Sequence, residues 1–285
     1  MHKNPKLQIN GAPEATWMSS SRKRCSTTPT MRTSSLRRLF EAALGVNVSY
    51  FVAPAPIVAA RNTTALKGIE LNECRTSGSP EQLRGLLDGS LDLVVTALDN
   101  LFNWADAGAA FVLVGQVEPT TPLTIVAGPG IQSLADLEGH RFAVDAFDNG
   151  FALIARHLLG ERGVKPRWHE VGGVQARYEA LRAGETDATL LGPPFDERAR
   201  DAGCTQLANV QEIYPAYPGQ VLIVRADRLD DDDVQTVLAV LERSGLCGVV
   251  PEGLEVLVRI RRDLDLLSES ARIPLLNSNR KVNDD

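Results

Sequence analysis

The sequence predicts an α/β protein built as two similar lobes, and two observations carry that prediction. From Val46 onward, short apolar runs alternate with amphipathic segments of roughly ten residues, the pattern of strands joined by crossover helices. One unit also occurs twice: residues 87–95 line up with 182–190, each reading as a helix end, a glycine cap (Gly89, Gly184), two residues, an aspartate (Asp92, Asp187) and a buried strand. With 285 residues, 44% of them hydrophobic and 23% charged, the chain is long and apolar enough for one large domain or two lobes.

Taken in order, 46–52 reads as a strand and 57–64 as a short helix after Pro54 and Pro56. A strand at 69–73 leads to a helix at 79–87, with Pro80 in its first turn and Gly89 just past its end. The run 91–96 is a wholly apolar strand apart from its aspartate and threonine, 99–107 a helix, and 110–117 and 123–127 strands. The scheme then repeats with a short helix at 133–137, a strand at 141–144 and a helix at 150–162 whose Phe151, Ile154, Leu158 and Leu159 share one face. Strands at 168–171, 187–191 and 220–224 and helices at 174–182, 196–202, 232–243 and 254–267 complete the list, and a parallel sheet is expected.

Composition removes several functions. A net charge of −6 suits no general nucleic-acid binder. Apolar runs such as 111–114 fall far short of the roughly 18 residues that a membrane span needs. Cys25, Cys74, Cys204 and Cys247 form no C-x-x-C pair, so neither structural zinc nor a disulfide framework is expected. No phosphate-binding loop, dinucleotide fingerprint, nucleophile elbow or H-E-x-x-H occurs. His140, His157 and His169 lack metal-ligand spacing, and His157 reads as a partly exposed helix residue. No metal or other cofactor is expected. Residues 1–45 are basic and rich in Ser and Thr, like a transit peptide or an arm, without the apolar core of a secretory signal. That favours a cytoplasmic over a periplasmic location.

An ordered series of short motifs, TSGSPEQL (76–83), Asp99-Asn100, SLADLEGHRFAVD (133–145), Val171-Gly172-Gly173, ALRAGETDA (180–188) and GPPF (192–195), resembles the substrate-binding proteins of ABC importers for sulfonates, nitrate and thiamine precursors, the thiamine-pyrimidine-synthesis-like group. The resemblance implies a type II periplasmic-binding fold with two hinge crossings, at 121–127 and 218–224. Lobe 1 would comprise 46–123 and 217–285, and lobe 2 would comprise 124–216. It also implies a small-molecule ligand and, for an exported chain, an ABC permease as partner.

Strand ends that face helix N-termini select the candidate site, because free N–H groups there favour polar ligands. Ser77, Gly78 and Ser79 open one helix; Thr96, Asp99 and Asn100 follow an apolar strand. Asp145, Phe147, Asp148, Asn149 and Gly150 lie between a strand and a helix, where Asn149 offers donor and acceptor and Phe147 could stack on a planar group. Gly172 and Gly173 form a second such loop, and Pro194 walls the mouth. Ser79, Asp99 and Asp148 serve equally well as helix caps, and Phe147 as core. The three aspartates disfavour a dianion and favour a neutral or weakly basic planar ligand such as a pyrimidine. Arg75 and Arg177 are the nearest cations, with Arg177 read as a solvated helix side chain. Capture by hinge closure leads; an enzyme using Asp145 or Asp148 as acid or base, or a ligand-free scaffold, are the alternatives.

Overall fold

The computed structural model describes residues 45–66, 68–148 and 150–267, so of the basic segment 1–45 only Gly45 is described. The first lobe is a five-stranded sheet containing β1 (Gly45–Tyr50), β2 (Glu70–Arg75), β3 (Leu93–Ala97), β4 (Phe111–Gln116) and β10 (Gln220–Arg225), in the order β2-β1-β3-β10-β4. The second contains β5 (Thr124–Ala127), β6 (Arg141–Val144), β7 (Arg167–Glu170), β8 (Ala188–Leu191) and β9 (Thr205–Asn209), in the order β7-β6-β8-β5-β9.

Neither sheet is purely parallel. β10 runs antiparallel to β3 and β4, and β5 runs antiparallel to β8 and β9. In both sheets the reversed strand stands fourth. The reason is the route of the chain: β5 and β10 are the first strands after each passage between lobes, so each enters its sheet from the end where the others leave. The two passages run side by side, with Val117 N–H donating to the Gln220 carbonyl at 2.9 Å and Gly219 N–H to the Pro119 carbonyl at 3.2 Å. A Cβ on Gly219 would collide with the Glu118 carbonyl, so the close approach of the two passages requires glycine there.

Nine α-helices occur among the described residues: α1 (Ala55–Ala60), α2 (Ser79–Asp88), α3 (Asn100–Asp106), α4 (Ala152–Gly160), α5 (Val174–Arg182), α6 (Phe195–Asp201), α7 (Val210–Ile213), α8 (Asp232–Arg243) and α9 (Pro251–Asp263). The expected helix at 133–137 is a single 3-10 turn, tied off where Asp136 accepts from the Gln132 and Ser133 N–H groups. β9 and α7 carry no periodic signal, since Thr205–Asn209 is a half-buried mixture of polar and apolar residues.

The repeated unit has the same function in each lobe. Gly89 and Gly184 take φ of 81° and 70°, the left-handed values that let a helix stop and turn back into a strand. Three residues on, each aspartate accepts the N–H at the start of a neighbouring strand: Asp92 from Asn47 at 2.9 Å, Asp187 from Arg141 at 2.8 Å. Each also donates its own N–H back, to the Asn47 and Arg141 carbonyls. The aspartates therefore set the register between the central strands of both sheets.

One hydrophobic cluster runs through both lobes, including Leu98, Phe102 and Phe111 of the first, Leu153 and Leu158 of the second, and Leu257 and Ile260 of α9. α9 packs on α4. His157, expected to be partly exposed, is instead 6% exposed within that contact. Its ring nitrogens lie 3.0 Å from the Tyr214 hydroxyl and 3.1 Å from Asp263 Oδ2, so its two-sided polarity is spent joining α4 to α7 and α9.

Arg141 holds Asp187 down to about 2, because its guanidinium and N–H bond the ionised carboxylate. A depressed carboxylate contributes stability that is present above about pH 4 and lost as the pH falls toward 2. Asp187→Asn is expected to cost roughly 1–2 kcal/mol at pH 7, discounted for partial exposure, and to match the parent near pH 2. Urea titrations at the two pH values check this.

Candidate functional site

The C-terminal ends of the central strands of both sheets face one cleft, and two compartments that share part of their lining occupy it. The inner one, about 330 Å³, is lined by the loop from Phe51 to Ala55, by Asn100, Asp145, Phe151 and Arg177, and by Glu118, Thr121 and Gln220 from the passages between lobes. The outer one, about 500 Å³, is lined by Arg75, Thr76, Ser77, Gly173, Glu179 and Arg198, with Pro194 at its edge. Phe51, Val52 and Val174 border both.

Besides the bonds at the passages and the His157–Asp263 contact, three hydrogen bonds join the lobes across the cleft. Gly173 N–H donates to the Ser77 carbonyl at 3.1 Å, Gly150 N–H to Asp99 Oδ2 at 2.8 Å, and Asn103 Nδ2 to the Asp148 carbonyl at 3.2 Å. Local sequence prepares the first. Glu81 accepts from Ser77 N–H, the Ser77 hydroxyl and the Thr76 hydroxyl, so its carboxylate ties down the turn before α2 from which the Ser77 carbonyl meets the other lobe. The same bonds hold the Glu81 carboxyl below its ordinary range. Asp99 is the hub of the second: only 1% exposed, it pairs with Arg261 Nη1 of α9 at 2.9 Å. Burial pushes Asp99 up to about 6, against the pull of Arg261 and the Gly150 N–H.

Inside the inner compartment the polar groups are few and buried. Asn100, at the start of α3 and 1% exposed, donates Nδ2 to the Thr96 hydroxyl at 2.8 Å, leaving Oδ1 without a partner. Arg177, expected to be solvated, is 6% exposed. Its Nη1 donates to the Gly172 carbonyl at 2.7 Å and Nη2 to the Leu190 carbonyl at 3.2 Å, while Nε has no partner. Asp145 Oδ1 stands 3.9 Å from Nη1. Burial raises the Asp145 carboxyl above its ordinary value and lowers the Arg177 guanidinium. A buried polar atom left without a partner is costly, by roughly 1–3 kcal/mol, and two of the residues lining this compartment each carry one.

The structure sorts the candidate residues. Asn100 and Asp145 line the inner compartment; Ser77, Gly173 and Pro194 line the outer one. Gly150 and Asp99 meet each other in the lobe contact. Thr96 sits beneath Asn100, Gly78 caps α2, and Ser79 is buried in its first turn. Gly172 offers its carbonyl to Arg177. Phe147 lies under the Arg156 guanidinium, 3.8 Å from its ring centre, and edge-on to Trp168. Asp148 is exposed and paired with Arg156 at 3.0 Å, so of the two carboxylates considered as acid or base only Asp145 reaches the cavity. Asn149 lies outside the described residues. Sequence reasoning missed Phe51, Glu118, Thr121 and Gln220. The strand-to-helix loop after β1 obeys the same rule as those selected, and passage residues flank any cleft between two hinged lobes. Among the described residues no group of three His, Cys, Asp or Glu side chains could hold a metal ion.

Two α/β lobes closing over a small polar-floored cavity define a solute-binding protein rather than a surface-docking module. A family described as ABC transporter, phosphonate, periplasmic substrate-binding protein matches residues 73–263, and the chain belongs to it: a substrate-binding protein of ABC importer type. That match does not specifically carry the thiamine-pyrimidine wording. The family's periplasmic description leans against the cytoplasmic expectation, and no described helix is long and apolar enough to cross a membrane. Among solved structures, the fold is similar to the ligand-binding component of an ABC-type import system from Staphylococcus aureus with zinc bound (15% identity, TM-score 0.65, covering 78% of this chain and 92% of that one). It is also similar to PhnD1 from Prochlorococcus marinus in complex with methylphosphonate (13%, 0.62, 79% and 100%) and to the alkanesulfonate-binding protein SsuA from Xanthomonas axonopodis pv. citri bound to MOPS (21%, 0.59, 79% and 80%). No curated protein matches the sequence.

Two substitutions probe this geometry. A Cβ on Gly173 would lie 2.8 Å from the Ser77 carbonyl of the opposite lobe, and Gly173 has an ordinary φ of −59°, so the clash is purely between lobes. Gly173→Ala is expected to enlarge the radius of gyration by small-angle scattering with unchanged circular dichroism. Asp99→Asn leaves Arg261 buried against a neutral amide and is expected to cost about 3–5 kcal/mol, read from the denaturation midpoint.

Proposed function

We propose that this protein captures a small solute in the inner compartment by closing its lobes, and presents the closed form to an ABC permease on the periplasmic side. The observation that carries the reading is one cavity between two hydrogen-bonded lobes, lined by Asn100 and Arg177, each of which also holds a buried side-chain atom, Oδ1 and Nε, without a partner. Family membership supports the permease and the periplasmic working site.

The hinge reading assigns 46–123 and 217–285 to lobe 1 and 124–216 to lobe 2, with α9 as a strap, since it packs on α4 while Arg261 reaches Asp99. Asn100 and Asp145 are the inner binding residues, and Ser77, Gly173 and Pro194 close the mouth over them. Binding energy arises only in the closed form, so the ligand shifts the population toward closure.

Native mass spectrometry of the purified chain tests this. A retained small molecule, released on denaturation and lost in Gly173→Ala, is the expected result. A chain that retains nothing and is stabilised by no member of a solute panel would refute capture.

A further inference from the structure

From the arrangement of acceptors in the inner compartment, we infer that the captured solute is recognised through a hydrogen-bond-donating nitrogen, an amine or amidine on a small apolar body, seated between Asn100 of one lobe and Asp145 of the other. This rests on the capture reading and names the class of solute. The acceptors converge from opposite sides. A Cβ built on Gly150 would lie 3.3 Å from Asn100 Oδ1 and 3.1 Å from Asp145 Oδ2, so both oxygens border the same small region beside that glycine. Asn100 Oδ1 is buried without a partner, and its amide is oriented from behind by the Thr96 hydroxyl. A donor seated between the two oxygens, on the compartment side of Gly150, satisfies one oxygen from each lobe at once.

Charge points the same way. The ionisable groups lining the compartment are Asp145, Glu118 and Arg177. Arg177 gives Nη1 and Nη2 to the Gly172 and Leu190 carbonyls and keeps only Nε for a solute acceptor, and its 3.9 Å separation from Asp145 is too long for a hydrogen bond. Among the described residues the Glu118 carboxylate accepts from the Thr121 hydroxyl, at 2.7 Å, and forms no ion pair. Two carboxylates against one restrained guanidinium leave the wall net negative, which suits a donor or a cation and opposes a dianionic head. The rest of the wall is apolar, with Phe51, Pro54, Val117, Leu123, Phe151 and Val174 available to an aromatic or alkyl body. The methylphosphonate and MOPS of the two relatives are acids, so this chain departs from them in the sign of what it selects.

Because the ionised Asp145 carboxylate is the form that accepts a donor best, affinity is expected to fall as the pH drops through its burial-raised range; Glu118 and Arg177 are the other charged groups lining the compartment, Glu170 adds repulsion from β7, and Asp99 and Tyr217 feel its charge. Isothermal titration with benzamidine, its neutral isostere benzamide, and methylphosphonate tests the inference on the full chain. Benzamidine is expected to bind at least tenfold more tightly than benzamide, and Asp145→Asn, checked as folded by circular dichroism, to erase that preference. Asn100→Leu is expected to weaken both nitrogen probes. Binding of methylphosphonate in preference to benzamidine would overturn the inference and leave capture standing. Benzamidine binding that ignores both substitutions, or no binding of any probe, would overturn it as well, and capture itself is then decided by the retained-solute measurement.

Discussion

The closed geometry depends on one buried carboxylate. Asp99 receives a backbone N–H from the opposite lobe at Gly150 and a guanidinium from α9 at Arg261, and it has almost no access to water. A charge in that position is tolerated only while both partners are present, because desolvation costs several kcal/mol and is offset by the pair and the N–H together. Arg261 in turn also bonds Asn103 Oδ1 and the Leu266 carbonyl, and Asn103 bonds the Asp148 carbonyl of the second lobe. Opening the cleft at this edge therefore means uncovering a charge. The other contact across the cleft, Ser77–Gly173, is a single backbone hydrogen bond with no buried charge.

That asymmetry follows from how the chain is threaded. Both sheets place their reversed strand fourth, so both passages between lobes emerge at the same end and pair as Val117–Gln220 and Pro119–Gly219. A two-strand connection resists shear but bends easily, which suits rotation about one axis. The strap formed by α9 lies against α4 and carries two polar ties two residues apart: Arg261 to Asp99 of the first lobe and Asp263 to His157 of the second. The repeated Gly-x-x-Asp unit stands outside this machinery. It fixes the strand register in each lobe, so that each sheet keeps its form while the lobes move.

The fold was legible where periodicity and punctuation agree. Residues 174–182 and 232–243 were bounded correctly because their apolar spacing starts and stops at clear turn residues. The Gly89 and Gly184 caps were legible because only one conformation makes that turn. Topology was not: the reversed sense of β5 and β10 depends on the route between lobes, which leaves no mark in the strands themselves, and β9 has no pattern to read. The site was legible to the level of loops. Strand-end geometry selected the segments of Asn100 and Asp145, yet it could not separate a side chain aimed at the cavity from one aimed at the opposite lobe. Asp99 and Asn100 are adjacent, and one is a clamp while the other faces the solute. Arg177 shows the converse failure, because a basic residue mid-helix looks solvated until a neighbouring strand end supplies carbonyls to receive it.

Recognition and closure are coupled through the glycine that joins these two roles. Gly150 has a φ of 67°, gives its N–H to Asp99 and leaves room beside its Cα for Asn100 Oδ1 and Asp145 Oδ2 to approach. A side chain there would strain the turn and fill the space between the two acceptors. The same backbone atom group thus fixes the lobes and keeps the polar gap open, so that any displacement of Gly150 from Asp99 also separates the two oxygens that a donor must bridge. A solute that satisfies both oxygens is bound only in the geometry that Asp99 holds, which makes closure and chemical selection one event rather than two.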